Sequence, residues 1–283
     1  MPVERGEISG DRKLKGVVRK TAGNFPNAEE RIITETVALL FIEREIPELV
    51  PRVLSYNLGK EIVTQEVDTR VSKPTSQILA LIEELQTLPD PKALPIMKAV
   101  DYHLDAARKI QELFRDGAIN ERTAGNLSVY YEDHVESLDA FGTTFCHGDM
   151  QRRNIGKHNN RMVTFDFEQA HMGSELEDYV FFAVSSRFLP DRGNRGKVYR
   201  HLVAKFGQDE YRQAQFQEAV DLLFVDRYLH VLHWDTFNKE PSNMNRVIRF
   251  YAKNMINNAL EGERRRSRSG HQMPSFESDP IND

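Results

Sequence analysis

The chain has a single cysteine, Cys146, in 283 residues. One thiol cannot close an intrachain disulfide, so a cross-linked scaffold is excluded and a reducing compartment is the better fit. Long apolar runs are missing too. The longest, VALLFI and YVFFAV, fall far short of the roughly 20 residues that span a bilayer. The first residues, MPVERGEISGDRK, carry charge but no apolar segment and do not read as a secretory leader. Nor is there an excess of positive charge. A formal net charge of -5 argues against a general nucleic-acid binder, and the short run RRRSR from Arg264 reads as a solvated tail. What remains is a cytoplasmic, soluble chain, 40% hydrophobic and 29% charged, long enough for one large domain or two modest lobes.

Strand candidates lie at 3–8 and 14–21, on either side of the turn-prone SGDRK. Asn27 is placed to cap a helix, AEERIITETVALLFIERE, in which Ile32, Ile33, Val37, Leu40 and Phe41 recur at helical spacing and Pro47 marks the end. VPRVLSYNLGKEIVTQEV reads as a hairpin turning at Asn-Leu-Gly, with its second strand ending near Val67. The character then changes. Helices are predicted at 76–88, 96–114 and 131–138, separated by Pro89, Pro91, Pro95 and Gly117. Two brief strands follow, MVTFDF the clearer, and from Glu175 the pattern is helical to about Gly262. Residues 263–283 are polar and rich in charge, which predicts a disordered tail.

The two brief strands flank FCHGDMQRRNIGKHNNRMVTFDFE, residues 145–168. It sets His147, Asp149, Asn154 and Asp166 among apolar residues, where loose polar groups are costly. Asp149 and Asn154 are five apart on a tight loop, and Asp166 is expected on the next strand, after the hairpin tip KHNNR. Three oxygen-bearing side chains can then meet at one point. Hard divalent cations such as magnesium take oxygen ligands and ride on substrate phosphates. A remaining aspartate can accept the proton of an attacking hydroxyl. Competing readings are a hydrogen-bonded core histidine at His147 and a zinc site from His147 and His158, which no cysteine pairing supports.

His-Gly-Asp, then four residues and Asn, followed by Asp-Phe-Glu, resembles the aminoglycoside phosphotransferase and choline kinase superfamily, small-molecule kinases with a protein-kinase-like fold. The likeness continues through FDFEQAHMGSELEDYVFF. It implies an α+β bilobal fold, with a nucleotide-binding N-lobe at 1–67 and a mainly helical C-lobe at 68–262 that carries the catalytic loop. It implies ATP and Mg2+ as cofactors, Asp149 as catalytic base and His147 as the residue orienting its loop. Asn154 and Asp166 would be the metal ligands, with Asp178 as a brace. It also implies a strand cation paired with a helix glutamate, here Lys20 with Glu35. Strand alternation does not decide between Lys20 and Arg19, and a solvated strand-end lysine and an exposed helix glutamate are the plain alternatives. The adenine-gripping hinge falls by order at Glu66–Asp68, through backbone groups that include Glu66 and Val67. One departure stands out: only 19 residues precede Lys20, so either the lobe is trimmed or the true start lies upstream, and Gly6 and Gly10 supply a reduced phosphate-covering turn at most.

The implied activity is transfer of a γ-phosphoryl group to the hydroxyl of a small molecule, aminoglycoside-, choline- or sugar-like, without nucleic-acid or membrane partners. Asp-Phe-Glu in place of Asp-Phe-Gly favours a small acceptor over a protein. An atypical protein kinase and a non-catalytic pseudokinase acting as a binding module are the rival readings. Tyr228, Trp234 and Phe237 would suit a quaternary ammonium group, with Asp221, Asp226 and Asp235 attracting it. Core aromatics at helical spacing and a solvated acidic face explain the same residues. Glu168 reads as a further metal or substrate contact, or as an exposed strand-end acid.

Overall fold

The computed structural model describes residues 3–5, 16–22, 27–89, 99–184, 192–207, 210–237, 253–254, 256–257 and 260–261. Gly6, Gly10 and the tail at 263–283 lie outside these residues. The chain divides into two compact units, residues 1–99 with 143–182 and residues 100–142 with 183–283. This grouping crosses the boundary expected at residue 68.

The first unit opens with β1 (Val3–Arg5), β2 (Val17–Thr21), α1 (Ala28–Glu45), β3 (Val53–Asn57) and β4 (Glu61–Gln65). The strands form one antiparallel sheet in the order β1-β2-β4-β3. Register pairs Val18 with Thr64 and Lys20 with Ile62, so these four side chains share a face and Arg19 takes the other. The hairpin turns as expected, with Lys60 N–H donating to Asn57 O at 2.8 Å and Gly59 at φ 76°. In α1 the buried positions Ile32, Glu35, Thr36, Leu39 and Ile42 form one helical stripe. Asn27 precedes α1 as expected but does not cap it. Its backbone is left-handed at φ 62° and its side chain makes no capping bond.

α2 (Thr75–Gln86) leads to the strands that hold the polar loop: β5 (Thr143–Cys146), β6 (Ile155–His158), β7 (Arg161–Thr164) and β8 (His171–Ser174). β6 and β7 are a hairpin whose tip, Asn159-Asn160, has φ of 49° and 65°, the type I′ geometry asparagine tolerates. β5 pairs with β8, a strand the sequence pattern did not show. Asp68 and Lys157 exchange backbone hydrogen bonds of 2.9 and 3.1 Å, which ties β6 to the segment after β4. A Cβ at Gly156 would approach Asp68 O to 2.8 Å, so only glycine allows that approach. β7 stops at Thr164. Asp166 therefore lies beyond the strand expected to carry it, with left-handed φ of 75°.

The second unit contains α3 (Tyr102–Arg115), α4 (Glu121–His134), a 3-10 turn (Val135–Ala140), α6 (Arg192–Phe206) and α7 (Glu210–Phe237), while α5 (Glu177–Val184) joins the segments. α3 starts later than predicted, because Asp101 caps it by accepting from Leu104 N–H at 2.9 Å. α4 starts ten residues earlier than predicted, capped by Asn120 from Thr123 N–H at 2.8 Å. Gly125 costs the helix ~1 kcal/mol, but burial of Leu127, Tyr130 and Tyr131 outweighs it. Lys109 is buried between Asp105 at 2.5 Å and Asp226 at 3.7 Å, and Tyr131 Oη donates to Asp226 at 3.0 Å. Tyr228 is 5% exposed. Tyr228 and Asp226 are thus core residues, and the aromatic and acidic faces weighed above do not include them. Among the described residues no helix is long and apolar enough to cross a membrane.

Candidate active site

The loop after β5 is pinned from below by the start of α5. Asp178 accepts from the backbone N–H of His147 at 2.8 Å and of Gly148 at 3.1 Å. Burial raises the Asp178 carboxyl to about 6, against the pull of His147. Gly148 has φ 75°, and a Cβ there would drive into the carbonyl oxygen of Gln169. No other residue fits that turn. His147 is fully buried and its Nε2 lies 3.0 Å from Phe165 O. A carbonyl can only accept, so Nε2 carries the proton and Nδ1 accepts from Asp149 N–H at 3.3 Å. The imidazole thus links the backbone of Asp149 to the residue before Asp166.

Asp149 and Asn154 meet directly. Asn154 Nδ2 donates to the carbonyl of Asp149 at 2.9 Å and to its Oδ2 at 3.0 Å. The same Oδ2 accepts from Gln151 Nε2 and lies 3.4 Å from a guanidinium nitrogen of Arg153. Asp166 turns toward β2, where the Lys20 ammonium bonds it and both oxygens of Glu35 at 2.8 Å. Burial alone would lower the Lys20 pKa, but Glu35 and Asp166 together raise it above the ordinary value. Burial works on Asp166 in the opposite sense, yet Lys20 overrides it and holds the carboxyl down at about 2. Glu35 is raised, because its burial outweighs the help of Lys20. Glu168, 3.6 Å from Arg31, is raised to about 7 by burial and then by the charge of Asp166.

This triad forms one wall of a cavity of about 300 Å³. Val18 and Lys20 line it from β2, Ile62 and Thr64 from β4, and Glu35 and Leu39 from α1. Glu66 and Val67 close one side, and Phe165 and Asp166 another. The expected Lys20, Glu35, Glu66, Val67 and Asp166 therefore share one cavity. Arg19, one residue away, pairs with Glu61 at 2.5 Å on the opposite face. At the hinge position the Glu66 N–H is donated to Gly16 O at 2.7 Å.

By sequence, no protein-family model and no curated protein matches the chain. By structure, the choline kinase LicA from Streptococcus pneumoniae is similar at a TM-score of 0.63 and 11% identity, over 91% of this chain and 94% of that one. The fold is that of the aminoglycoside phosphotransferases and choline kinases. A choline/ethanolamine kinase family protein from Mesorhizobium loti is similar at a TM-score of 0.61 and 17% identity, over 88% and 82%. So is the ADP-bound aminoglycoside phosphotransferase APH(2'')-Ib, at 0.56 and 14%, over 92% and 94%. The kinase-like α+β architecture expected from the loop motif is thus observed along nearly the whole chain.

Several residues at the site had no signal in the sequence. Gln151 and Arg153 match no motif, although their spacing of two and four from Asp149 allows both to reach it. The apolar cavity wall has no motif, because any aliphatic residue at those register positions serves. His171 was also missed. Its Nδ1 faces Gln169 O at 2.8 Å and its Nε2 faces Glu177 at 3.1 Å, two acceptors, so both nitrogens are protonated. Burial opposes that charge, but Glu177 raises His171 to about 9. Among the described residues the one cluster with metal-ligand spacing is Cys146, His171 and Glu177. The zinc pairing of His147 with His158 is not formed. A hard divalent cation suits a different set: Asp166 is ionised, and Asn154, whose Nδ2 turns to Asp149, keeps its amide oxygen for another partner.

Proposed function

We propose that this protein is an ATP-dependent phosphotransferase that moves the γ-phosphoryl group to a hydroxyl of a small molecule. What carries the reading is Lys20, held between Glu35 and Asp166 on the wall of a cavity bounded by Glu66 and Val67. The nucleotide base would occupy that cavity, with Lys20 on its phosphates. ADP binding by a neighbour of the same fold supports the choice of nucleotide. Asn154 and Asp166 would hold Mg2+, which when bound neutralises charge on the phosphate oxygens.

Asp149 is the base. As the acceptor oxygen bonds to the γ-phosphorus, its proton passes to Asp149. The bond from that phosphorus to the β-phosphate bridging oxygen breaks, and ADP leaves. Gln151 and Asn154 fix the Asp149 carboxylate, so little reorganisation remains for the reacting state. His147 and Asp178 act through the backbone, holding the loop on which the base stands. The test is Asp149→Asn, assayed by ADP formation over a panel of small alcohols alongside thermal melts with and without Mg-ATP. Turnover is expected to fall by about 10²–10⁴-fold, with the ATP-dependent rise in melting temperature retained. Full turnover in that variant removes Asp149 from its role.

A further inference from the structure

Among the described contacts, three donors reach the Asp149 carboxylate, and they differ in kind. Gln151 and Asn154 are neutral and buried, at 7% and 2% exposure. Arg153 is charged, and its side chain is 65% exposed, with one guanidinium nitrogen 3.4 Å from Asp149 Oδ2. The residue before it, Arg152, is anchored. Arg152 donates to the Lys73 carbonyl and to Thr75 Oγ1 at 3.2 Å, and its guanidinium stacks on Phe182 at 5.5 Å. Lys73 returns a bond to Arg152 O at 2.7 Å. Burial, and then the Arg152 charge, lower the Lys73 pKa. This clasp fixes the loop backbone through its inward-facing cation and leaves the next one facing solvent.

An acceptor that brings its hydroxyl to Asp149 therefore arrives beside a guanidinium. A second cation beside it is repelled, weakly in open water and more strongly in a partly closed site. An anion is attracted to the same degree and matches the planar fork of donors. Two of the six residues weighed for a quaternary ammonium are also spent, since Tyr228 is core and Asp226 is bonded to Tyr131 beside Lys109.

We propose that Arg153 selects an acceptor bearing an anionic group, a carboxylate or a phosphate monoester, next to the hydroxyl it presents to Asp149. The fate of that hydroxyl rests on the phosphotransferase reading above; binding of the anion does not.

The experiment is calorimetric titration of the whole chain with glycerate, glycerol 3-phosphate, glycerol and choline, repeated on Arg153→Gln, Arg153→Lys and Lys20→Met. At least one of the two anions is expected to bind more tightly than glycerol or choline. It should lose about tenfold or more in affinity in Arg153→Gln, the scale of a charged hydrogen bond, and recover part of it in Arg153→Lys. Lys20→Met should leave that affinity in place, since Lys20 bonds Glu35 and Asp166 and not Asp149 or Arg153. The two anions separate carboxylate from phosphate recognition. Choline or glycerol binding as tightly as the anions overturns the proposal. So does anion affinity that survives Arg153→Gln but disappears in Lys20→Met, and so does no measurable anion binding. ADP formation from Mg-ATP, followed in parallel, separates the two ideas. Arg153-dependent anion binding with no ADP formed leaves this proposal standing and removes the phosphotransferase. Choline-driven ADP formation indifferent to Arg153 does the reverse.

Discussion

Each compact unit buries one lysine between two carboxylates. In the first, Lys20 lies between Glu35 and Asp166; in the second, Lys109 lies between Asp105 and Asp226. Both lysines have raised pKa values for the same physical reason, two anions outweighing burial. Their surroundings differ. Lys20 faces a cavity of about 300 Å³, and one of its partners, Asp166, holds a left-handed backbone that non-glycine residues seldom adopt. The Lys109 cluster joins α3 to α7, and Tyr131 supplies a further hydrogen bond to Asp226. A buried ion pair alone thus says little about function. Adjacent empty volume and a strained backbone distinguish the first cluster from the second.

The comparison breaks most easily at the lysines themselves. Lys20→Met is expected to lower turnover by about 10²–10³-fold, the range for losing one preorganised electrostatic donor, and to abolish the stabilisation that Mg-ATP gives. Lys109→Met strands Asp226 in the core and is expected to lose about 3 kcal/mol of folding stability, while the ATP-dependent shift in melting temperature persists. Paired melts of both variants with and without Mg-ATP read the two effects separately. If Lys109→Met also erases the ATP shift, the two clusters are not functionally distinct.

The same contrast shows what the sequence makes legible. The loop from His147 to Asn154 and the pair Asp166-Glu168 were readable because their chemistry lies in residue type and spacing, which the linear chain preserves. Glu35 came from the resemblance alone: the stripe read from the sequence, Ile32, Ile33, Val37, Leu40 and Phe41, leaves it out, whereas the buried stripe runs through Glu35, Thr36 and Leu39. Lys20 against Arg19 was not readable, since alternation gives two faces but not which face is inside. That choice is made by register with a partner strand 42 residues away, Lys20 opposite Ile62. Asp226 looked solvated for a related reason: its partners, Lys109 and Tyr131, come from distant helices. β8 has only four residues, His171–Ser174, too few for a period-2 pattern, and it exists because β5 needs a partner.

A third buried cation sharpens the comparison by titration. The His171 imidazolium lies between Gln169 O and Glu177, and its folded pKa of about 9 stands above the ordinary 6.5. The folded state therefore binds this proton more tightly than the unfolded state. The stabilisation is fully present below pH 6.5 and is lost as pH rises through about 9, on the order of 3 kcal/mol in all. Glu168, raised to about 7, still sheds part of its proton in this range, and the buried Cys146 thiol, held above its ordinary value, adds slope of the same sign. The His171 share is therefore the difference between native and His171→Gln melts from pH 7 to 9.5. Stability is expected to fall across this range in the native chain and to fall less steeply in His171→Gln. Equal slopes in the two proteins place the proton elsewhere.

The smallest effect is expected from the nearest neighbour. Arg19 is adjacent to Lys20 and also pairs with a glutamate, Glu61, at 2.5 Å. Yet both side chains are about 30% exposed, so water and salt screen the pair, and such pairs contribute up to about 1 kcal/mol. Arg19→Ala should cost no more than that in stability, with the difference shrinking further as salt is raised. Turnover and the ATP-dependent shift should be unchanged. Lys20→Met, one residue along, has the opposite signature, because strand alternation puts its ammonium on the cavity face. Loss of the ATP shift in Arg19→Ala, with the shift kept in Lys20→Met, would mean that β2 presents its other face to the nucleotide.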